Sequence, residues 1–442
     1  MKKLKVVGFL SFFVLNLALF SSGFIQLGCG GGTTNNTNSG WTTVSETSVV
    51  GSFSTVMTGF FDISFSPADS SIGFFVGNTG TVDKSVNGGT SSTSIDDLGT
   101  SSTCRAVVMS SSNHVWVACQ DNGSGALNYG SGASIWHSSD GGTTWELQVN
   151  TDATWLARTG ETRTGATQDR MNMFAFQTDN VTGVAVGGYG NNYNLIWTTT
   201  DGGAGTGSDW VESYLAQTTG TDDELHGVEL KVAGDNSFLI LAVGNGGVIL
   251  RKVGTVSTDF TTTAGWTQIT SGTTQNLLDV KCIDDSICMA VGGAGTCLRS
   301  TDAGASWSTV DCGTTNELGA LDYVTGTTKI WAGGAAGTIL YSSDAGVTWT
   351  EQTTDISTYP VQAIYMIDEN TGYAACANSS SNTGALMKTT SGGTSNNLDL
   401  GGPLKRAQMQ GARKDATGAY MEIREDRGFA GNAADGSFLE VP

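Results

Sequence analysis

Two eleven-residue stretches recur almost unchanged at positions 204 apart: Ser138–Gln148 reads SSDGGTTWELQ and Ser342–Gln352 reads SSDAGVTWTEQ. A chain that writes the same short segment more than once is an array of one structural unit, because several complete active sites in one chain would be a far more demanding reading. The residues upstream extend the match. MAVGGAGTCLRSTDAGASW (Met289–Trp307) and IWAGGAAGTILYSSDAGVTW (Ile330–Trp349) align almost position by position, and VAVGGYGNNYNLIWTTTDGG (Val184–Gly203) follows the same plan, with Trp210 arriving late. FFVGNTGTVDKSVNGGTSS (Phe74–Ser92) carries Asn87 at the aspartate position, and YAACANSSSNTGALMKTTSGGTS (Tyr373–Ser395) carries Ser391 there. LAVGNGGVILRKV (Leu241–Val253) keeps only the first half, its tryptophan following at Trp266, and Val115–Trp145 is the same unit with a longer middle loop.

Seven units result, with aspartate-equivalent positions at 87, 140, 201, near 253, 302, 344 and 391, spaced from 42 to 61 residues. That period suits a four-stranded sheet per unit. Leu277–Lys281 alternates sides as a first strand, and Cys288–Gly292 is small and apolar as a buried second strand. Gly295 turns the chain into a third strand, Thr296–Ser300, and a fourth begins at Trp307. Sixty-two glycines against four prolines fit many short strands and tight turns. One small sheet cannot bury its own faces, so the units must stack, and seven can close a ring. The expected fold is an all-β, seven-bladed β-propeller over residues 41–396. The last unit has no tryptophan strand, whereas GWTTVSETS (Gly40–Ser48) is a tryptophan strand with no unit before it. Trp41–Glu46 is therefore expected to close the seventh blade from the N-terminal end and remove an open sheet edge.

The pattern Ser/Thr-x-Asp-x-Gly-x-Thr/Ser-Trp, intact at Ser138–Trp145, Ser300–Trp307 and Ser342–Trp349, resembles the Asp-box, or bacterial neuraminidase repeat. The residues give it a structural reading. Asp140, Asp302 and Asp344, with Asp201 in the interrupted copy, accept bonds from backbone N–H groups of their own turns. Gly142, Gly304 and Gly346 supply the unusual backbone angle, and Trp145, Trp307 and Trp349 bury rings between neighbouring sheets. The longer unit resembles the photosystem II assembly/stability factor type of propeller, whose members also occur as secreted or lipidated bacterial proteins. That resemblance implies a habit of holding partner proteins. In the photosynthetic members a basic face engages a photosystem subunit. Here the chain is acidic and only Arg158, Arg163 and Arg170 gather locally, as candidate partner-binding residues, which argues against a photosystem role.

Sialidases share the Asp-box; their chemistry needs three arginines around a substrate carboxylate, a Tyr–Glu pair and an acid aspartate, and their early Arg-Ile-Pro element is absent here. Asp62, Asp179, Asp222, Asp223, Glu224 and Asp368 are the carboxylates a glycosidase reading would draw on. His114, His137 and His226 lie apart in sequence without metal-ligand spacing, so no metal and no cofactor are expected, and no catalytic residue is assigned. No phosphate-binding loop follows the glycines. In an exported chain the cysteines read as local disulfides, Cys282–Cys288, Cys104–Cys119 and Cys297–Cys312, which leaves Cys376 over.

The export reading comes from the start of the chain. Lys2, Lys3 and Lys5 precede an apolar stretch from Val6 to Phe20, too short for a spanning helix, which needs about 20 apolar residues. Ile25-Gln26-Leu27-Gly28-Cys29 resembles a lipobox, making residues 1–28 a lipoprotein signal peptide and Cys29 the lipidated residue. Residues 29–40, rich in Gly, Thr and Asn, read as a flexible tether, and residues 397–442 as a C-terminal extension, flexible or loosely packed. A formal charge of −20 excludes nucleic acid as a partner and leaves the anchor as the membrane attachment. The expected role is a lipid-anchored, non-catalytic, protein-binding or assembly scaffold at the bacterial cell envelope, with glycan binding or sialidase/glycosidase-like hydrolysis as the alternative. Specificity is expected in the long loops Asp121–Ala133, Thr151–Arg170 and Val253–Ala264.

Overall fold

The computed structural model describes residues 40–43, 60–89, 91–95, 98, 103–120, 133–150, 169–177, 179, 181–189, 193–202, 210–213, 224–354, 359–378, 383–393, 429–431 and 438–440. The chain divides into two units, Met1–Ser395 and Asn396–Pro442. In the second, Phe429–Gly431 pairs antiparallel with Phe438–Glu440. Residues 397–428, 432–437 and 441–442 of the C-terminal extension lie outside the described residues.

The first unit is a ring of seven antiparallel four-stranded sheets, the propeller the repeat implies. Blade one contains Phe60–Phe65, Gly73–Gly77, Val82–Ser85 and Thr93–Ser94, ordered from the axis outward. Blade five contains Leu277–Cys282, Cys288–Gly292, Cys297–Ser300 and Ser308–Thr309. The first strands begin at residues 60, 103, 169, 225, 277, 318 and 361, and each packs against the first strand of the blades on either side. Apart from the exposed Ser237 that opens the second strand of blade four, the described residues of the second strands are buried because both faces meet a neighbouring sheet, which is why they read as small apolar runs such as CMAVG (Cys288–Gly292).

Blade seven takes Val361–Met366, Gly372–Asn378 and Thr383–Thr389 from the end of the repeat and its outer strand, Thr42–Thr43, from the start of the chain. Thr42 pairs with Lys388 and Thr43 with Met387. Of the expected closing strand, Trp41–Glu46, residues 44–46 lie outside the described residues.

Blade four departs from the plan. Its third strand runs on through Ile249–Thr255 and passes into a one-turn helix, Val256–Asp259, where the other blades have an aspartate turn or its Asn87 or Ser391 counterpart. The side chain of Lys252 replaces the turn's internal bonding. Its ammonium donates to the carbonyls of Phe260 (3.1 Å) and Thr262 (2.5 Å). The stretch 253–264, expected as an open specificity loop, is thus partly a packed segment with Phe260 at 0 % exposure.

Candidate functional site

The aspartate turns are self-contained braces. In blade six, Asp344 Oδ1 accepts the backbone N–H groups of Val347 (3.1 Å) and Thr348 (2.8 Å), and the Thr348 hydroxyl donates to Oδ2. Asp140 and Asp302 make equivalent bonds to Thr144 and Ser306. In Asp201's turn the Thr199 hydroxyl donates to the carboxylate at 2.7 Å. Hydrogen bonds favour the ionised form, so Asp344 is held at about 2, chiefly by the Thr348 hydroxyl, and Asp140 at about 2, chiefly by the Thr144 N–H. Such carboxylates are poor proton donors near neutral pH. Sequence reasoning missed the first residue of the motif. Ser138, Ser300 and Ser342 are buried, donate to their aspartates, and accept the N–H of Gly142, Gly304 and Gly346 at 2.7–2.9 Å.

Those glycines mark where one blade seats on the preceding one. Gly142, Gly304 and Gly346 have φ of 86°, 74° and 78°, and a Cβ on them would meet Phe74, Leu241 and Met289, each on the second strand of the preceding blade. From that blade's third strand a cation donates to the carbonyl one residue before the glycine. Lys84 reaches Gly141 (2.6 Å), Arg251 reaches Ala303 (2.9 Å) and Arg299 reaches Ala345 (2.8 Å). Trp145, Trp307 and Trp349 pack against these junctions but are only half-buried, less than expected; each stands immediately before an outer strand.

Around the axis the first strands expose an edge whose N–H groups have no further strand to bond. Polar side chains of the preceding blade serve instead. Asp62 accepts from Val107 N (2.8 Å), Asp279 from Leu321 N (2.7 Å), Asp322 from Met366 N (2.5 Å), Glu229 from Cys282 N (3.3 Å) and Ser64 from Met109 N (3.0 Å). A bulge at the same place in every first strand sets this register, between Phe60 and Asp62 in blade one and between Leu277 and Asp279 in blade five. The positions following the seven bulges are Asp62, Ala106, Met173, Gly227, Asp279, Ala320 and Ala363. Two residues on stand Ser64, Val108, Ala175, Glu229, Lys281, Asp322 and Tyr365.

Four carboxylates therefore share the axis with Lys281, and the protein surrounds them while Asp62, Lys281 and Asp322 keep some contact with the lumen. Burial pushes Asp62 and Asp322 up to about 7, and raises Asp279 and Glu229. Burial opposes the charge of Lys281 as well, but Asp279, Glu229, Asp322 and Asp62 outweigh it and hold the ammonium charged. The cavity lined by Asp62, Asp279, Lys281 and Asp322 measures about 130 Å³, below the roughly 300–1,000 Å³ of small-molecule sites.

The other sequence candidates scatter. Asp179 and Asp368 cap hairpin turns through Thr182 N and Thr371 N, and Glu224 accepts from Asn172. Asp222, Asp223, Arg158, Arg163 and Cys29 lie outside the described residues, and of Arg170 only the backbone, paired with Gly188, is described. Disulfides join Cys104 to Cys119, Cys282 to Cys288 and Cys297 to Cys312, while Cys376 is buried in blade seven. Two of the three histidines, distant in sequence, are brought together: His114 Nδ1 lies 3.1 Å from His137 Nε2. The separation inferred from spacing is corrected here, because the hairpin before Val115 and the third strand of blade two are neighbours. Among the described residues no group of three or more His, Cys, Asp or Glu is placed to hold a metal ion.

No protein-family model and no curated protein matches the chain. Solved structures do. YCF48 from Cyanidioschyzon merolae aligns at 15% identity and a TM-score of 0.52, over 79% of this chain and 98% of that one. The WD40 β-propeller domain of Doa1 aligns at 12% identity and a TM-score of 0.53, over 79% and 97%. A structure of YCF48 bound to D1 peptide aligns at 16% identity and a TM-score of 0.49, over 76% and 95%. At these identities the likeness is one of fold.

Proposed function

We propose that this chain is a non-catalytic, protein-binding scaffold, carried on a lipidated Cys29 at the bacterial cell envelope. The observation that carries the reading is the commitment of its carboxylates. The aspartates of the repeated turns brace their own backbones, and the axial ones cap N–H groups of the next blade, Asp62 through Val107 and Asp322 through Met366. A hydrolase built on these groups would have to dismantle its own blade junctions. The ends of the blades remain for recognition. Among the described residues the large apolar side chains that stand well exposed are Val86, Val181, Val253 and Val347, all in or beside the hairpins and aspartate turns at one end of the blades. Sugar rings are held on exposed aromatic faces, and aliphatic groups among polar ones suit a protein partner. The signal-like start, the Gly/Thr/Asn tether and the lipobox-like Ile25–Cys29 support the anchored location.

Affinity capture from native envelope membranes, with the intact chain and the Cys29→Ala variant as baits, tests the reading. Recovery of the same protein in stoichiometric amount by the membrane-held bait is expected, together with loss of membrane fractionation in the variant. Turnover of sialosides or other glycosides by the purified chain, without a protein partner, would replace this reading with the hydrolase.

A further inference from the structure

Two blade junctions share one hydrogen-bonded device built on a tryptophan, a glutamine and a glycine carbonyl. At the junction of blades six and seven, Trp331 Nε1 and Gln352 Nε2 both donate to the carbonyl of Gly392, at 3.1 and 2.7 Å, and Trp41 Nε1 donates to Gln352 Oε1. At the junction of blades two and three, Trp116 Nε1 and Gln148 Nε2 both donate to the carbonyl of Gly202, at 3.3 and 3.0 Å, and Trp210 Nε1 donates to Gln148 Oε1. The residue paired across from the second-strand tryptophan is Tyr341 in blade six and His137 in blade two.

That histidine is wired into the junction. Gln148 Nε2 lies 3.2 Å from His137 Nδ1. Because Gln148 presents its amide group to Gly202 and its oxygen to Trp210, its contact with His137 is a donation, and Nδ1 must be the unprotonated nitrogen. His137 then carries its proton on Nε2 and donates it to His114 Nδ1 at 3.1 Å. The ring stacks on Trp116 at 4.4 Å, and Trp116 in turn lies 3.9 Å from Phe176 of blade three. The other titratable groups nearby are Glu146, paired with His137 on the fourth strand, and Asp201, beside Gly202 on the facing turn.

We propose that the junction of blades two and three is an acid-sensitive staple, in which protonation along the His114–His137 pair releases Gln148 and loosens blade three from blade two. An imidazolium has two donors and no acceptor, so it cannot keep facing the Gln148 amide. Turning that amide to satisfy the new N–H would present its oxygen to His137 and withdraw its donor from Gly202 and its acceptor from Trp210. Burial and the neighbouring His114 hold His137 down at about 4, so the staple stays shut near neutral pH and responds as acidity increases. The Tyr341 junction has no such group and serves as an internal control.

Nitrogen-15 spectra of the histidine rings and tryptophan indoles of the full chain, followed through an acid titration, test the proposal. His137 is expected to show a bare Nδ1 and a protonated Nε2 at pH 7. On acidification the indole signals of Trp116 and Trp210 should shift with the midpoint of His137, while those of Trp331 and Trp41 stay in place. The His137→Tyr variant should abolish the shift of Trp116 and Trp210. A proton on His137 Nδ1 at pH 7, or a His137 titration that leaves Trp116 and Trp210 unmoved in the unmodified chain, would overturn it.

Discussion

The indole N–H of Trp41 donates to Gln352 Oε1 at 2.8 Å, a buried hydrogen bond between residues 311 positions apart. It occupies the place that Trp210 holds toward Gln148, so the first described strand of the ring acts as the missing outer strand of the last blade. Two further backbone bonds, from Gly40 N and Trp41 N to Thr353 O, hold the same closure against blade six. Replacing Trp41 with Phe leaves Gln352 without its donor in a buried place and is expected to cost about 1–3 kcal/mol. Trp41→Ala adds a cavity and is expected to cost about 3–5 kcal/mol. Urea denaturation checks both; equal midpoints for the variants and the parent would show that the ring does not depend on this seam.

The axial carboxylates make stability depend on pH in the unusual direction. Asp62 and Asp322 titrate at about 7 in the fold, against an ordinary value of 3.8. Between those values the folded state binds more protons than the unfolded chain, so these two groups stabilise folding as pH falls from above 7 toward 4. Asn at both positions removes the titration. The Asp62→Asn/Asp322→Asn variant is expected to exceed the parent in stability at pH 8 and to lose that margin by pH 5, as measured by chemical denaturation at each pH. A margin independent of pH would contradict the assignment.

Gly346 is the position where two constraints meet. Its φ is 78°, and a Cβ would lie 2.4 Å from Met289 Sδ across the blade boundary. Gly346→Ala is expected to destabilise by about 1–3 kcal/mol, through overpacking and a left-handed backbone that alanine resists. The adjacent Ala345, at φ 57°, already tolerates that region, and Ala345→Gly should change the denaturation midpoint little. A harmless Gly346→Ala would remove the close seating of the turn from the account.

The three disulfides are all local: Cys104–Cys119 and Cys282–Cys288 join neighbouring strands of blades two and five, and Cys297–Cys312 ties the third strand of blade five to the segment after its fourth. Reduction is expected to lower stability by about 2–4 kcal/mol for each of the two 15-residue closures, and less for the short Cys282–Cys288 closure. Peptide mapping without reductant should recover the three pairs from native material. Seven alkylatable thiols downstream of Cys29 in freshly isolated protein would place the chain in a reducing compartment.

The blade count, the strand order within a blade and the closure by Trp41 were legible in the sequence, because a repeat displays its own boundaries. Blade four was not: Val253 was aligned as an aspartate equivalent, while the structure-forming residue is Lys252, whose long side chain gathers carbonyls that no sequence pattern marks. The bulges were also hidden, since they depend on how adjacent edges meet and not on residue type. The last letter of the repeated stretch was in plain view and went unread. Gln148 and Gln352 end both eleven-residue copies, and both carry the bond to the next blade. Contact between His114 and His137 needed the fold, because hairpin geometry alone brings residues 23 apart together.

We propose that this ring recognises a protein and is not a hydrolase. Photo-crosslinking in the native envelope tests it most directly, with the reactive group placed at the exposed Val86 and Val347 and, at the opposite end of the blades, at Leu278 beside a first-strand bulge. The account predicts one discrete protein adduct, the same at Val86 and Val347 and absent at Leu278. No protein adduct at any of the three positions, from membranes that retain the intact chain, would contradict it.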